Sequence, residues 1–389
     1  MTAKKAQHSP AIVVAAYNRP HSLRRLVGAL AKASYPGPLV PLIISIDNSG
    51  SDAVLREAKA FVWPYGPKRI LVRPERMGLK NHILACGDLS EAYRSIILFE
   101  DDIYPSPHFY TFACAALSRY AQDARIAGLS LYATKINETA FMGFTPLHDG
   151  SDAFFLRIPS SWGQAWTAEQ WREFRIWLHA RPGLDVNALV PPNVRLWPDT
   201  SWKKLFCAYM NDAAKFFVYP YLSLSTNFSD IGENHHTRST RFQIPLQFFP
   251  KEYALPLLDE SFCVYDEYCE LLPDRLLKLT GHLEHSANDL SVDLYGMRDI
   301  ATLPKTGLIL TSRPTDACLA SWARSLKPHE MNIVADIPGA DLKLCRVAEC
   351  EPSPRKLDVN AVCYHYNVAR RVLVWCKEEL NATGHGYQR

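Results

Sequence analysis

The chain has 389 residues, 48% of them hydrophobic and 21% charged, with a formal net charge of +3. This balance belongs to a globular protein with a large core in two or three domains, and it makes no electrostatic case for a nucleic-acid partner. No stretch of about 18 apolar residues occurs, so no membrane span is predicted.

Residues 1–10 are polar and slightly basic, lack a leader's apolar stretch, and are expected to be disordered. The ten cysteines include no Cys-x-x-Cys pair, which argues against a zinc ribbon. Reduced thiols in a cytosolic protein are expected, with Cys86, Cys114 and Cys376 inside apolar helical patterns.

Ala11–Ala16 reads as a short buried strand. Leu23, Leu26, Val27 and Leu30 then fall on one helical face, with Pro20 near the start, where its missing N–H costs nothing. No Gly-x-Gly-x-x-Gly follows the strand, so a dinucleotide site is disfavoured. Residues 39–46 predict a second strand that ends in Asp47. That acid either accepts from a base or ribose, or caps the helix starting near Ser51. Residues 69–72 predict a third strand and residues 78–93 a helix carrying Leu79, His82, Ile83 and Cys86.

Ser95–Phe99 is an apolar run with the character of a strand buried on both faces. Glu100, Asp101 and Asp102 arrive where that strand would surface. In an open α/β sheet, the ligand crevice lies outside such carboxyl ends. Three adjacent carboxylates repel one another unless a cation sits among them, and hard oxygen donors suit Mg2+ or Mn2+. A solvated acidic turn is the plainer alternative. A helix over 107–120 and a strand over 126–132 continue the alternation, which predicts a mostly parallel sheet flanked by helices.

Beyond Asn137 the texture becomes aromatic and polar. Ser161-Trp162-Gly163-Gln164-Ala165-Trp166 precedes a helix-like segment over 167–179, and Trp197-Pro198-Asp199-Thr200-Ser201-Trp202 follows. These stretches read as pocket walls or as ordinary loop packing. From about residue 250 the chain reads as an α/β appendage, helical in part over 252–279, with short strands at 308–311 and 332–335 and a basic amphipathic helix over 368–380.

These segments together resemble the GT-A-fold glycosyltransferases. The motifs are Ala-Ala-Tyr-Asn-Arg-Pro at 15–20, Ile-Asp-Asn-Ser-Gly at 46–50, Phe-Glu-Asp-Asp-Ile at 99–103, the Ser-Trp-Gly stretch at 161–163, and Tyr-Pro-Tyr-Leu-Ser-Leu at 219–224. Asn227–His235 is similar to the family's segment that closes on histidine, though poorer in glycine, and leaves His235 and His236 as alternatives. The nearest look is to the N-acetylglucosaminyltransferase I group and to related bacterial sugar transferases, over residues 10–240.

The resemblance implies a GT-A nucleotide-sugar-binding catalytic domain over 11–249 and an accessory region over 250–389. It implies a nucleotide-diphosphate-sugar donor, Mn2+ or Mg2+, and a glycan or lipid-linked acceptor, in inverting transfer of the kind that builds bacterial surface polysaccharide. By analogy Arg19 meets the diphosphate, Asp47 the uracil or ribose, and His82 the nucleotide; a core position is the alternative for His82. Asp102 and His235 would hold the metal, Asp101 would contact the nucleotide sugar, and Glu100 would brace the strand end. A carboxylate base is also required. Asp199 is the first candidate, with a helix N-cap as its other reading; Glu169 is second and Asp230 third. The basic helix, with Arg370, Arg371 and Lys377, would give weak peripheral attachment at the inner face of the membrane, or pack on the catalytic domain.

Overall fold

Strands that alternate apolar residues without a polar face must be covered on both sides, and the first half of this chain is built on that rule. The computed structural model describes residues 9–37, 39–228, 230–232, 242–315 and 317–352. Strand β1 (Ala11–Ala16) leads to helix α1 (Pro20–Leu30), β2 (Leu42–Ile46) to α2 (Ala53–Ala60), and β3 (Lys68–Val72) to α3 (Gly78–Gly87) and the single turn α4 (Ser90–Tyr93). Strand β4 (Ser95–Glu100) is followed by the short β5 (Ile103–Pro105) and by α5 (Phe109–Tyr120). Then come β6 (Ile126–Ser130), the small hairpin of β7 (Ile136–Asn137) and β8 (Met142–Gly143), β9 (Ala153–Leu156) and β10 (Gln164–Thr167). Helices α6 (Ala168–His179), α7 (Pro192–Arg195) and α8 (Trp202–Asp212) precede β11 (Phe216–Pro220) and β12 (Ser225–Asn227).

The remaining elements are β13 (Val264–Tyr265), α9 (Pro273–Leu279), β14 (Leu290–Asp293), β15 (Leu308–Thr311), β16 (Ala320–Trp322), α10 (Met331–Val334) and β17 (Leu342–Arg346). The central sheet has nine strands in the order β13-β9-β11-β6-β10-β4-β1-β2-β3. Five of its eight pairings are parallel, so the fold is the expected α/β type with a mostly parallel sheet between helices. The antiparallel β10 inserts between β4 and β6, with Gln164 opposite Leu98 and Thr167 opposite Ser95.

Side chains alternate cleanly between the two faces. Ile12, Val14, Ile97 and Phe99 pack with α1, α2 and α5, whereas Val13, Ile96, Leu98 and Trp166 pack with α3, α6 and α8. The second face carries a stack in which the Trp166 and Trp171 rings lie 4.6 Å apart, and Trp171 is seated by an indole N–H donated to Asp88 at 2.8 Å. Thr167 starts α6 with a capping box completed by Gln170.

The sheet continues past residue 249: β13 pairs with β9, so residues from the expected appendage form one edge of the central sheet. The four-stranded sheet β14-β15-β17-β16 shares its core with the second face through Val292, Leu310 and Leu344. A buried ion pair between Arg313 and Asp293, both side chains fully enclosed, lies within this unit.

One expectation changes. Residues 332–335 are not a strand: Met331–Val334 is a helical turn, and short apolar runs do not distinguish the two. The segment 252–279 is helical in part, as expected, over Pro273–Leu279. The predicted helix over 368–380 and residues 1–8 lie outside the described residues. The eight described cysteines are free, Cys86 and Cys114 among those buried.

A β-carbon at Gly87 would fall 2.0 Å from the Trp171 ring. Gly87→Ala is therefore expected to destabilise the fold by about 1–3 kcal/mol, the usual cost of overpacking, read as a lowered thermal midpoint. An unchanged midpoint would mean that the tryptophan stack yields freely.

Candidate functional site: an acidic strand end beside an aromatic pocket

Strand β4 delivers Glu100 at its last residue, and the chain turns at Asp101 and Asp102 before β5. That turn is held from two sides. The Asp102 carbonyl accepts the Phe228 N–H at 2.9 Å, and β5 pairs antiparallel with β12. The Tyr17 amide, at the end of the neighbouring β1, donates to the Asp101 carboxylate.

Arg19, the residue that precedes the first turn of α1, turns its guanidinium into this cluster. It forms an ion pair with Asp101 and lies 3.3 Å from Asp102 Oδ2. Both aspartate side chains are almost wholly enclosed, at 3% and 8% exposure. Burial pushes the Asp101 carboxyl up to about 6, although Arg19 opposes it. Burial, followed by the Asp102 charge, also raises Glu100 well above the carboxylate range. Burial works against the Arg19 charge, but Asp101 and Asp102 outweigh it, and the guanidinium is held more firmly protonated than usual.

The segment after β12 closes over this pair. Asp230 accepts from the Ser22 hydroxyl at 2.7 Å and forms an ion pair with Arg25, whose guanidinium stacks 3.8 Å over the Phe228 ring. A β-carbon at Gly232 would come within 3.1 Å of Arg19 Nη1. Asp230 thus clamps the segment to α1. Burial acts in the other direction, but the bonds from Arg25 and Ser22 hold its pKa low, which does not suit a base.

The cluster's donor chemistry fits a hard divalent cation: carboxylate oxygens on a rigid strand end, with Asp101 Oδ2 buried and without a hydrogen-bond partner. Among the described residues no three acid, histidine or cysteine side chains converge as a metal site. His235 and His236, the alternatives for the closing histidine, lie outside the described residues.

Other sequence candidates are placed differently. Asp47 spends both oxygens on backbone amides: Met77 at 2.8 Å, Gly78 at 3.0 Å and Asn48 at 2.9 Å. It therefore tethers the start of α3 and does not cap α2. His82 is buried with Nε2 at 2.8 Å from the Ser45 hydroxyl, which also accepts from Arg73, so it occupies the core position. Asp199 is 97% exposed and pairs with Lys204; the cap of α8 is Ser201, and the desolvated aromatic rim expected around the acid is missing. Glu169 pairs with Arg172 in the first turn of α6, at the end of β10 that faces the start of β4. It sits at the opposite edge of the sheet from the acids because β10 runs antiparallel.

Trp162 and Trp197, from the stretches read as pocket walls, do line a pocket, and what the sequence did not reveal is its other lining residues, among them Tyr132, Glu138, Lys203 and Glu267. The Trp162 carbonyl accepts the Ser225 hydroxyl proton, and Gly163 (φ +92°) lets the turn press against Phe99, where a β-carbon would lie 3.1 Å from its ring. Lys203 Nζ lies 4.7 Å from the Trp197 ring centre and 5.6 Å from that of Trp162, and its charge lowers the Glu100 pKa. Lys203 thus stands in the pocket lining and within electrostatic reach of Glu100.

No protein-family model and no curated protein sequence matches the chain. Among solved structures, it is similar to S. aureus TarS 1-349 in complex with UDP-GlcNAc (13% identity, TM-score 0.38), over 57% of this chain and 59% of that one. It is also similar to the mannosyltransferase PcManGT from Pyrobaculum calidifontis in complex with GDP-Man and Mn2+ (15%, 0.30, over 45% and 49%). A third is GalNAc-T7 with UDP, GalNAc and Mn2+ (12%, 0.39, over 56% and 43%). The chain thus spans about three-fifths or less of each of these. The likeness is distant, and the chemistry below rests on the site itself.

The His82 ring has its pKa lowered from 6.5 to about 4, by burial and then by the Arg73 charge, against Asp47. A depressed folded value means that His82 contributes stability above 6.5 that is lost as pH falls through about 4. Relative to His82→Gln, the wild type should lose on the order of 3 kcal/mol between pH 7 and pH 4 in denaturant titrations. A pH-independent difference between the two would place the imidazole in contact with water.

Proposed function

We propose that the chain is a metal-dependent glycosyltransferase that moves a hexosyl or N-acetylhexosaminyl group from a nucleotide-diphosphate sugar to a hydroxyl acceptor, with inversion. The observation that supports this most directly is the enclosed Glu100-Asp101-Asp102 cluster at the carboxyl end of β4, facing a guanidinium and bordering an aromatic pocket. Sugar transfer needs a site that accepts a diphosphate leaving group on one side and a hydroxyl nucleophile on the other. The cluster and the pocket would supply two such compartments, with Lys203 of the pocket lining in electrostatic reach of Glu100.

Asp102 and Asp101 would hold a divalent cation, which when bound supplies Lewis-acid neutralisation of the leaving diphosphate. Arg19 would turn from the carboxylates to the phosphates, the fixed positive charge passing from one anion to the next. Phe228 and residues 230–232, held through Asp230, would exclude water from that face. A glycan or lipid-linked acceptor at the inner face of a membrane, in surface polysaccharide synthesis, fits this chemistry. Among the described residues no helix is long and apolar enough to cross a membrane.

The test is a panel of UDP- and GDP-sugars assayed for Mn2+- or Mg2+-dependent binding and turnover. Asp102→Asn should abolish metal-dependent binding of the nucleoside diphosphate while the thermal midpoint stays within a few degrees. Calorimetry showing undiminished metal-dependent affinity in that variant would take Asp102 out of the site.

Arg19 acts as the cluster's own counter-ion in the nucleotide-free protein. Its attraction to a carboxylate, about 4 kcal/mol at ~4 Å in an effective dielectric near 20, is largely offset by desolvation. Arg19→Ala is expected to raise the affinity of the nucleotide-free protein for Mn2+ about tenfold and to weaken nucleoside-diphosphate binding. Mn2+ titration followed by electron paramagnetic resonance separates the two, and equal Mn2+ affinity in both proteins would show that guanidinium and metal do not compete.

A further inference from the structure

The pocket next to the acid cluster carries a more specific assignment, which rests on the reading of the chain as a nucleotide-sugar transferase. Its walls combine aromatic faces with carboxylates. The Tyr132 and Trp162 rings meet edge to face at 4.7 Å, Trp197 lies beneath Lys203, and Glu138 and Glu267 point polar groups into the same space. Ile136, Leu156, Ile158 and Val194 complete a largely apolar lining. Aromatic and aliphatic faces pack against the C–H surfaces of a pyranose, and the few carboxylates accept from its hydroxyls.

The two acids differ in what already occupies them. Glu267 faces Arg157 at 3.4 Å, and its neighbour Asp266 is paired with Arg298. Glu138 makes no hydrogen bond or ion pair among the described residues, yet both its neighbours are fixed. Asn137 Oδ1 accepts the amides of Thr139 and Ala140 at 3.0 and 3.1 Å, and its side-chain N–H donates to the Tyr268 carbonyl at 2.8 Å. Thr139 donates its hydroxyl to Asn193 Oδ1 at 2.6 Å. A carboxylate with free oxygens, carried on a turn anchored at both sides, is pre-organised to accept a proton.

The geometry points to this pocket as the site of a carbohydrate acceptor, with Glu138 as the base for its attacking hydroxyl. The hydroxyl proton passes to a Glu138 oxygen as the hydroxyl oxygen forms its bond to the anomeric carbon of the donor. The bond from that carbon to the β-phosphate oxygen breaks, and its electron pair leaves with the nucleoside diphosphate. Glu267, faced by Arg157, acts as a recognition group in the lining, so residues beyond 249 help to select the acceptor.

The experiment uses the full chain, Mn2+, a panel of UDP- and GDP-sugars, and methyl glycosides of the common hexoses and N-acetylhexosamines as acceptor probes. Sugar release to water and transfer to glycoside are followed, and nucleoside-diphosphate affinity is measured separately by calorimetry. Glu138→Gln is expected to lose at least about 100-fold in both rates with nucleoside-diphosphate affinity unchanged, and to lose the acidic limb of the pH–rate profile. Trp197→Ala is expected to raise KM for the glycoside with little change in donor affinity, and the exposed Asp199→Asn to keep wild-type rates. Wild-type turnover in Glu138→Gln overturns the assignment, as does a wild type that binds nucleoside diphosphate but neither hydrolyses nor transfers its sugar. A Glu138→Gln protein with a lowered thermal midpoint is re-examined as Glu138→Asp, which restores a proton acceptor and should recover part of the rate; no recovery in a well-folded Asp variant counts against the base. Failure of the wild type to bind any nucleoside diphosphate instead removes the transferase reading itself.

Discussion

One guanidinium against two enclosed aspartates sets the state of the whole site. Strand β4 cannot end in three carboxylates inside a protein without a counter-charge, and α1 begins at the residue that provides it. Fixing Arg19 fixes the approach of α1 to the turn after β4. Through Ser22 and Arg25 the same helix holds Asp230, and with it the chain that covers the cluster. An internal cation of this kind keeps an anionic site folded when empty and yields when a stronger ligand arrives. The cost of enclosing the acids shows in Glu100 and Asp101, whose protons are held more tightly than those of exposed carboxylates.

Four of the first five strands of the sequence reading were legible because burial on both faces leaves an unbroken apolar run; β3, a partly exposed edge strand, was legible from the regular return of helices around it. The acid cluster was legible for the same reason: charge directly after such a run has nowhere to go but the strand's end. The candidates for the base were not legible in this way. Whether an acid reaches the cluster depends on the direction of β10 and on which end of it α6 leaves from, and neither is written in local composition. Glu169 therefore lies by the start of β4, away from the acids at its end, and Asp199 is almost fully exposed beside Lys204. Glu138 carries no local signal beyond the Asn-Glu-Thr turn, and Glu267 meets a partner, Arg157, 110 residues earlier in the chain. Residues 331–334 illustrate a different failure, since a short apolar run serves a helix turn as well as a strand.

The region after residue 249 gains a physical role from its edge strand. By pairing with β9, β13 brings Glu267 to the pocket lining, and the ion pair of its neighbour Asp266 with Arg298 ties that segment to the end of β14 in the four-stranded sheet. Removing one partner of an enclosed pair costs more than the pair contributes, typically 3–5 kcal/mol. The second sheet is thus coupled to the shape of the pocket through charge as well as packing.

The antiparallel entry of β10 also bears on how the polypeptide acquires its structure during synthesis. The quartet β3-β2-β1-β4 is complete once the first hundred residues have emerged, and two of its three pairings join consecutive strands. At that stage β4, apolar from Ile96 to Phe99, is an open edge with unpaired amides and carbonyls, and it stays open until Gln164–Thr167 arrives from beyond a long excursion. An exposed, flat, hydrophobic edge is the feature that templates intermolecular pairing. The chain is therefore at its most aggregation-prone midway through translation, and slow elongation between β4 and β10 would lengthen that vulnerable interval. A ribosome-bound fragment ending shortly before β10 is where a chaperone would find its binding strand.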